Sequence, residues 1–97
     1  MKNIKDYMIH ESSETTVDNI IIGGSGSMYY GGKDIALILK KNFKNAKLFQ
    51  YDTNEDKVIP LKDINDFKPS GPHSDDLSGI VEFYKKHNGE MTIFMQN

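Results

Sequence analysis

The chain contains no cysteine among its 97 residues. Disulfides, thiol nucleophiles and cysteine-ligated zinc are therefore excluded. It also contains no arginine, since all twelve basic residues are lysine. Arginine grips phosphate and carboxylate through two parallel hydrogen bonds. An anion site in this chain must instead use lysine, hydroxyls or backbone amides. A coding bias toward Lys, Asn and Ile in AT-rich DNA explains the same absence without any function. No apolar run reaches the roughly 20 residues that span a bilayer. The first residues lack the long apolar core of a secretory signal, so an intracellular or virion-internal location is the expectation. Formal net charge is −2, which gives no strong pull toward nucleic acid or an anionic membrane. The length suits one small domain with a thin margin of stability, and a hydrophobic fraction of 37% is enough for one core.

Residues 1–11, MKNIKDYMIHE, place Ile4, Tyr7 and Met8 at spacings of three and four, which is one narrow apolar face of a helix. SSETT follows as a polar joint, so residues 1–16 form an amphipathic segment with its joint, and residues 17–97 a single domain. Asn19 to Ile22 reads as a buried strand, rich in β-branched residues. GGSG then permits a tight reversal into a second strand at Met28–Tyr30, and Gly31-Gly32 breaks the chain again. A helix is predicted from about Asp34 to Phe43, with Ile35, Ile38, Leu39 and Phe43 on one face and lysines at its carboxyl end. AKLFQYD alternates as a strand, TNED turns, and KVIPL returns as a strand that Pro60 confines to an edge or ends. Ile64 and Phe67 are predicted core anchors. Ser74 is the natural N-cap of a second helix, with Asp75 and Asp76 in its first turn. Its predicted apolar face is Leu77, Ile80, Val81 and Tyr84, and Gly89 suits a left-handed cap. EMTIFMQ gives a final strand. The order hairpin, helix, hairpin, helix, strand predicts an α+β fold: an antiparallel-rich sheet of about five strands with two helices on one face. The alternative is a more parallel sheet in which the glycine stretch is one long connection between a strand and a helix.

The stretch NIIIGGSGSMYYGGKD carries five glycines and is the main functional question. A nucleotide-binding P-loop requires Gly-Lys-Ser/Thr, and here Gly32-Lys33 is followed by Asp34. The glycine due five positions earlier is Ser27. The dinucleotide pattern fails as well, because its third glycine falls on Tyr29. A carboxylate at Asp34 would repel phosphate. The leading expectation is a hairpin turn and helix entry. The alternative is a ligand site built from the backbone amides of Gly24, Ser25, Gly26 and Ser27, with Lys33 nearby. Tyr29 and Tyr30 offer rigid amphipathic area for a partner.

The remaining residue patterns carry little chemistry. His10, His73 and His87 lie far apart without metal-ligand spacing, so no metal site and no cofactor are expected. His73 beside Asp75 and Asp76 suits helix capping as well as acid–base work. DTNED lacks the twelve-residue calcium loop, and GGSGS lacks the frame of a nucleophile elbow. No positive signature of an enzyme is present.

MKNIKDYMIHESS resembles the start of head-packaged internal proteins of large tailed bacteriophages. Those open with Met-Lys, a short amphipathic helix and a cleavage motif of Ile or Leu, any residue, then Glu. Ile9-His10-Glu11 matches, and the resemblance implies processing that leaves Ser12 as the new terminus. It covers about the first twelve residues. It implies a small soluble binding protein in the host cytoplasm or virion interior, acting on a host protein such as a defence enzyme. A phosphate- or nucleotide-binding protein built on Gly23–Lys33 is the alternative, and a structural virion component a further one.

Overall fold

The computed structural model describes residues 16–25, 28–71 and 77–96. Along the chain come β1 (Asn19–Gly23), α1 (Met28–Asn42), β2 (Lys47–Asp52), β3 (Lys57–Leu61), a 3-10 turn at Ile64–Asp66, α2 (Ser78–Lys86) and β4 (Thr92–Met95). The fold is α+β. Its four strands make one sheet in the order β3-β2-β1-β4. β1 runs parallel to both β2 and β4, and only the β2–β3 hairpin is antiparallel. The sheet is therefore mixed, with four described strands in place of about five and without the antiparallel majority expected.

The helices lie on opposite faces of the sheet, not on one. Side chains alternate along a strand. Ile20 and Ile22 enter a core with Met28, Ala36, Leu48, Ile64 and Phe67, while Ile21 enters a second core with Tyr51, Ile80 and Phe83. All three isoleucines are fully buried. A central parallel strand covered on both sides needs apolar residues at every position, which is why β1 reads as an unbroken run.

Met28–Tyr30 is the first turn of α1, not a returning strand. Parallel β1 and β2 cannot be joined by a tight turn; they need a crossover, and α1 supplies it. Gly31 and Gly32 sit inside the helix rather than ending the segment. A Cβ on Gly32 would stand 2.9 Å from Met28 Cε and 3.4 Å from Ile22 Cγ2, so this glycine lets the helix lie close to β1. The inner face of α1 is Met28, Gly32 and Ala36, with Leu39 and Phe43 packed beside them. The predicted face had Leu39 and Phe43 right, but Ile35 and Ile38 are 53% and 59% exposed. Two of the smallest residues lie at the contact, and a search for large apolar side chains passes over them. Beyond the carboxyl end Lys40 Nζ donates to Lys44 O at 2.8 Å and also to Ala46 O, tying the connection to β2 back onto the helix.

β3 is the outer strand, and Pro60 sits in it opposite Phe49, at the edge where a missing N–H is tolerated. Asp63 accepts from Asn65 N at 2.8 Å and Asp66 accepts from Asp63 N at 3.2 Å, a reciprocal cap that seats Ile64 and Phe67 in the core. Buried Gln50 accepts from Lys68 N at 3.1 Å and donates to Lys68 O, holding the following segment against the sheet.

α2 begins at Ser78, and Ser74, Asp75 and Asp76 lie outside the described residues. Its start is held from a distance: Asp56 Oδ1 accepts from Gly79 N at 2.9 Å and from the Tyr51 hydroxyl. The buried face is Ile80 and Phe83. The predicted stripe is corrected, because Leu77, Val81 and Tyr84 are exposed. Gly89 takes φ +92°, the left-handed conformation expected of it. No helix among the described residues is long and apolar enough to cross a membrane.

At the amino end of β1 a polar network joins the strand to the residues just before and in β4. Buried Asn19 donates through Nδ2 to Glu90 Oε1 and to Thr92 Oγ1, both at 3.0 Å. His87 Nδ1 lies 3.1 Å from Glu90 Oε2. The Asn19 hydrogen bond, followed by that of His87, holds the Glu90 carboxyl below the ordinary glutamate range. A carboxyl whose folded pKa is lowered contributes stability above its unfolded pKa and loses it as pH falls through the folded value. Urea midpoints followed from about pH 6 to about pH 3 should therefore fall less steeply in Glu90→Gln than in the parent. Parallel curves would remove Glu90 from the acid limb.

Candidate functional site

β1 is the strand at which the sheet reverses. The chain leaves it through α1 over one face to β2, and reaches its other neighbour, β4, after α2 on the opposite face. In open sheets of this kind ligands bind outside the carboxyl ends of the strands, where neighbouring connections diverge. The carboxyl end of β1 is Gly23, and the glycine–serine loop leads from it into α1.

Three loops converge there. Gly24 O accepts from Ser70 N at 2.8 Å and from Ser70 Oγ at 3.2 Å. Ser70 Oγ in turn accepts from Thr53 N at 2.9 Å and lies 3.3 Å from Thr53 Oγ1. Asn54 Nδ2 donates to Ser70 O. Ser25 pairs with Gly71 in an isolated parallel bridge, which extends the order of the sheet beyond β1. Gly24 has to be glycine: a Cβ would stand 2.2 Å from Tyr51 O and 2.3 Å from Ser70 Oγ. The Asp52 carboxylate is engaged by the turn, accepting from Asn54 N at 2.9 Å and Glu55 N at 3.2 Å.

The charge pattern at the helix start is the electrostatic feature of the site. The first turn of α1 carries no acidic residue. Asp34, feared as a repelling charge, lies seven residues into the helix and is exposed. The positive end of a helix dipole acts within its first turn, so Asp34 is too far along to cancel it.

Of the residues predicted for a ligand site, Gly24 and Ser25 stand together at the crest, and Ser25 is buried with its carbonyl accepting from Met28 N at 3.0 Å. Gly26 and Ser27 lie outside the described residues. Lys33 is half-buried in the second turn of α1, on the helix rather than in the loop. Tyr29 and Tyr30 belong to the first turn of α1, with their side chains outside the description. Ile9, Glu11 and Ser12, the expected processing site, and His10 and His73 also lie outside the described residues. Sequence reasoning missed Thr53, Asn54, Ser70 and Gly71. The only signal for the last two was the turn chemistry of Pro69-Ser70-Gly71 between the anchor Phe67 and the second helix. Among the described residues no group of three or more His, Asp or Glu side chains is placed to hold a metal ion. Comparison with protein-family models, with curated proteins and with solved structures found no match.

Proposed function

We propose that the domain is a binding module that takes a phosphate-bearing small molecule at the carboxyl end of β1. The observation that carries this reading is topological: the glycine–serine loop lies at the point where the sheet reverses, and it opens directly into the amino end of α1. Backbone amides at a helix start and serine hydroxyls suit an anion, and they need no arginine. The ligand's phosphate is assigned to the Gly24–Ser27 loop, with Lys33 supplying the nearest positive charge on α1. Titration calorimetry against inorganic phosphate and a nucleotide panel tests it. Saturable binding that Lys33→Ala and Gly26→Val weaken, with an unchanged denaturation midpoint for Lys33→Ala, is the expected result. No binding up to millimolar ligand would remove the reading.

A second reading, a phage-type protein that binds a host protein, has one observation of its own. Ile35 and Ile38, one turn apart on the same side of α1, stand exposed at 53% and 59%, and neighbouring Leu37 at 43%, exposed apolar area of the sort that marks a protein contact. Ile35→Asp with Ile38→Asp should abolish capture of such a partner and leave phosphate binding intact.

A further inference from the structure

The β2–β3 hairpin sets two lysines face to face at its open end. Its register pairs Leu48 with Leu61. Carried one step further, the same register brings Lys62 opposite Lys47, the first residue of β2. Like charges directly opposite one another destabilise a pair of strands. An acidic neighbour would relieve the repulsion, yet among the described residues neither lysine is ion-paired with a carboxylate. Glu90 feels the charge of Lys47, but its carboxylate is taken up by Asn19 and His87.

The two lysines stand at a groove of about 560 Å³, at the end of the sheet away from the glycine–serine loop. That volume suits a small-molecule site. Lys40 joins them, and no Asp or Glu among the described residues lines the groove. Lys40 Nζ is committed to the carbonyls of Lys44 and Ala46, so it adds a fixed positive charge, while Lys47 and Lys62 are exposed. Flat and apolar surface completes the lining. Phe49 and Pro60 are cross-strand partners, and the His87 ring stands beside them. Both rings are held in place. Phe49 meets Phe83 edge-on at 4.9 Å, and His87 stacks on Phe83 at 4.0 Å with its Nδ1 3.1 Å from Glu90 Oε2.

We infer that this groove is a second ligand site and that it takes a small aromatic carboxylate. The carboxylate lies between the ammonium groups of Lys47 and Lys62, and the ring system lies against Phe49, Pro60 and His87. Each part of the lining then selects one part of the ligand. An anion between the two lysines offsets their mutual repulsion, and lysine serves as a point charge where the chain has no arginine. A flat ring loses apolar area to walls that are already ordered, which keeps the cost of binding low. The site shares no residue with Gly24, Ser25 or Lys33 and stands independently of the loop beyond β1.

The probe is naphthoate, titrated into the full chain with backbone amide chemical shifts as the readout. Saturable shifts should centre on Lys47, Leu48, Phe49 and Lys62. Naphthylmethanol carries the rings without the charge, and acetate the charge without the rings. Each should bind at least about tenfold more weakly than naphthoate. Lys47→Gln combined with Lys62→Gln should lower naphthoate affinity by about tenfold or more. The urea midpoint of that variant without ligand should hold or rise, because a repulsion has been removed. Lys33→Ala should leave naphthoate affinity unchanged. The inference is overturned if no saturable shift appears up to millimolar naphthoate, if either partial probe binds as tightly, or if the double variant keeps its affinity. A lowered midpoint in the double variant would overturn it too, since the two lysines would then be supporting the fold. Shifts centred on Gly24 and Ser25 would do the same by moving the carboxylate to the other end of the sheet.

Discussion

Gly24→Ala is expected to destabilise the domain by about 3 kcal/mol, the upper part of the range for inserting a methyl where there is no room. The new Cβ would meet Tyr51 O at 2.2 Å and Ser70 Oγ at 2.3 Å. The first obstacle is backbone in β2, which is tied to β1 along five consecutive residue pairs from Asn19–Lys47 to Gly23–Tyr51. It cannot withdraw without loosening the centre of the sheet. The second is a side chain that could rotate, but Ser70 Oγ donates to Gly24 O and accepts from Thr53 N, so rotation gives up both bonds. Gly31→Ala is the matched control. Nothing stands within 4 Å of its Cβ, and it lies inside α1, where alanine should stabilise by about 0.5–1 kcal/mol. Two glycines seven residues apart thus carry opposite signs. Urea denaturation of both variants reads the signs directly, and equal midpoints would mean that the crest is looser than its contacts require.

That crest explains why so much of the site was invisible in the sequence. Gly24 and Ser25 could be found because a glycine–serine run after an apolar run is a local signal. Ser70 could not, since 46 residues separate it from the carbonyl it holds. Asp56 is similar: it caps α2 through Gly79 N, 23 residues away, and no local pattern marks that bond. The β2–β3 hairpin, the edge position of Pro60, the anchors Ile64 and Phe67 and the left-handed Gly89 were legible, because each rests on alternation, turn chemistry or a single large side chain. The direction of β1 was not. An unbroken apolar run says that both faces are covered, but it does not say which way the neighbours run. The glycine doublet was misread for a related reason: glycine lowers helix propensity locally, and here a close helix–sheet contact overrides it at Gly32.

The same three-loop junction links the fold to the proposed role. A ligand at the end of β1 would sit on groups whose positions are fixed by β2 through Thr53 and by the segment before α2 through Ser70. Gly24 and Ser25 are then held before a ligand arrives, which lowers the ordering cost of binding. Substitution of Ser70 should therefore reach affinity as well as stability, although its side chain is occupied within the protein.

Phe83→Ala should cost about 3–5 kcal/mol, as truncation of a buried aromatic does. Phe83 is 7% exposed and fills the core between α2 and the sheet with Ile21, Tyr51 and Ile80. Its ring meets Phe49 edge-on at 4.9 Å between centroids and stacks on the His87 ring at 4.0 Å. Removing it leaves a void that neither neighbour can fill, because Phe49 is fixed in β2 and His87 is held by Glu90. A domain of this size has about 5–15 kcal/mol in total, so this one change takes a large share. Val81 comes two residues earlier on the outer side, at 50% exposure, and Val81→Ala should cost under about 1 kcal/mol. The contrast fixes the rotation of α2. The apolar spacing Leu77, Ile80, Val81, Tyr84 had placed Val81 inward, whereas Ile80 and Phe83 are the buried residues of this helix. Phe83→Leu should fall between the two, since it keeps part of the volume and loses the ring contacts. Chemical denaturation of the three variants decides the matter. A Val81→Ala cost exceeding that of Phe83→Ala would turn the helix over and return the buried face to the one its spacing first indicated.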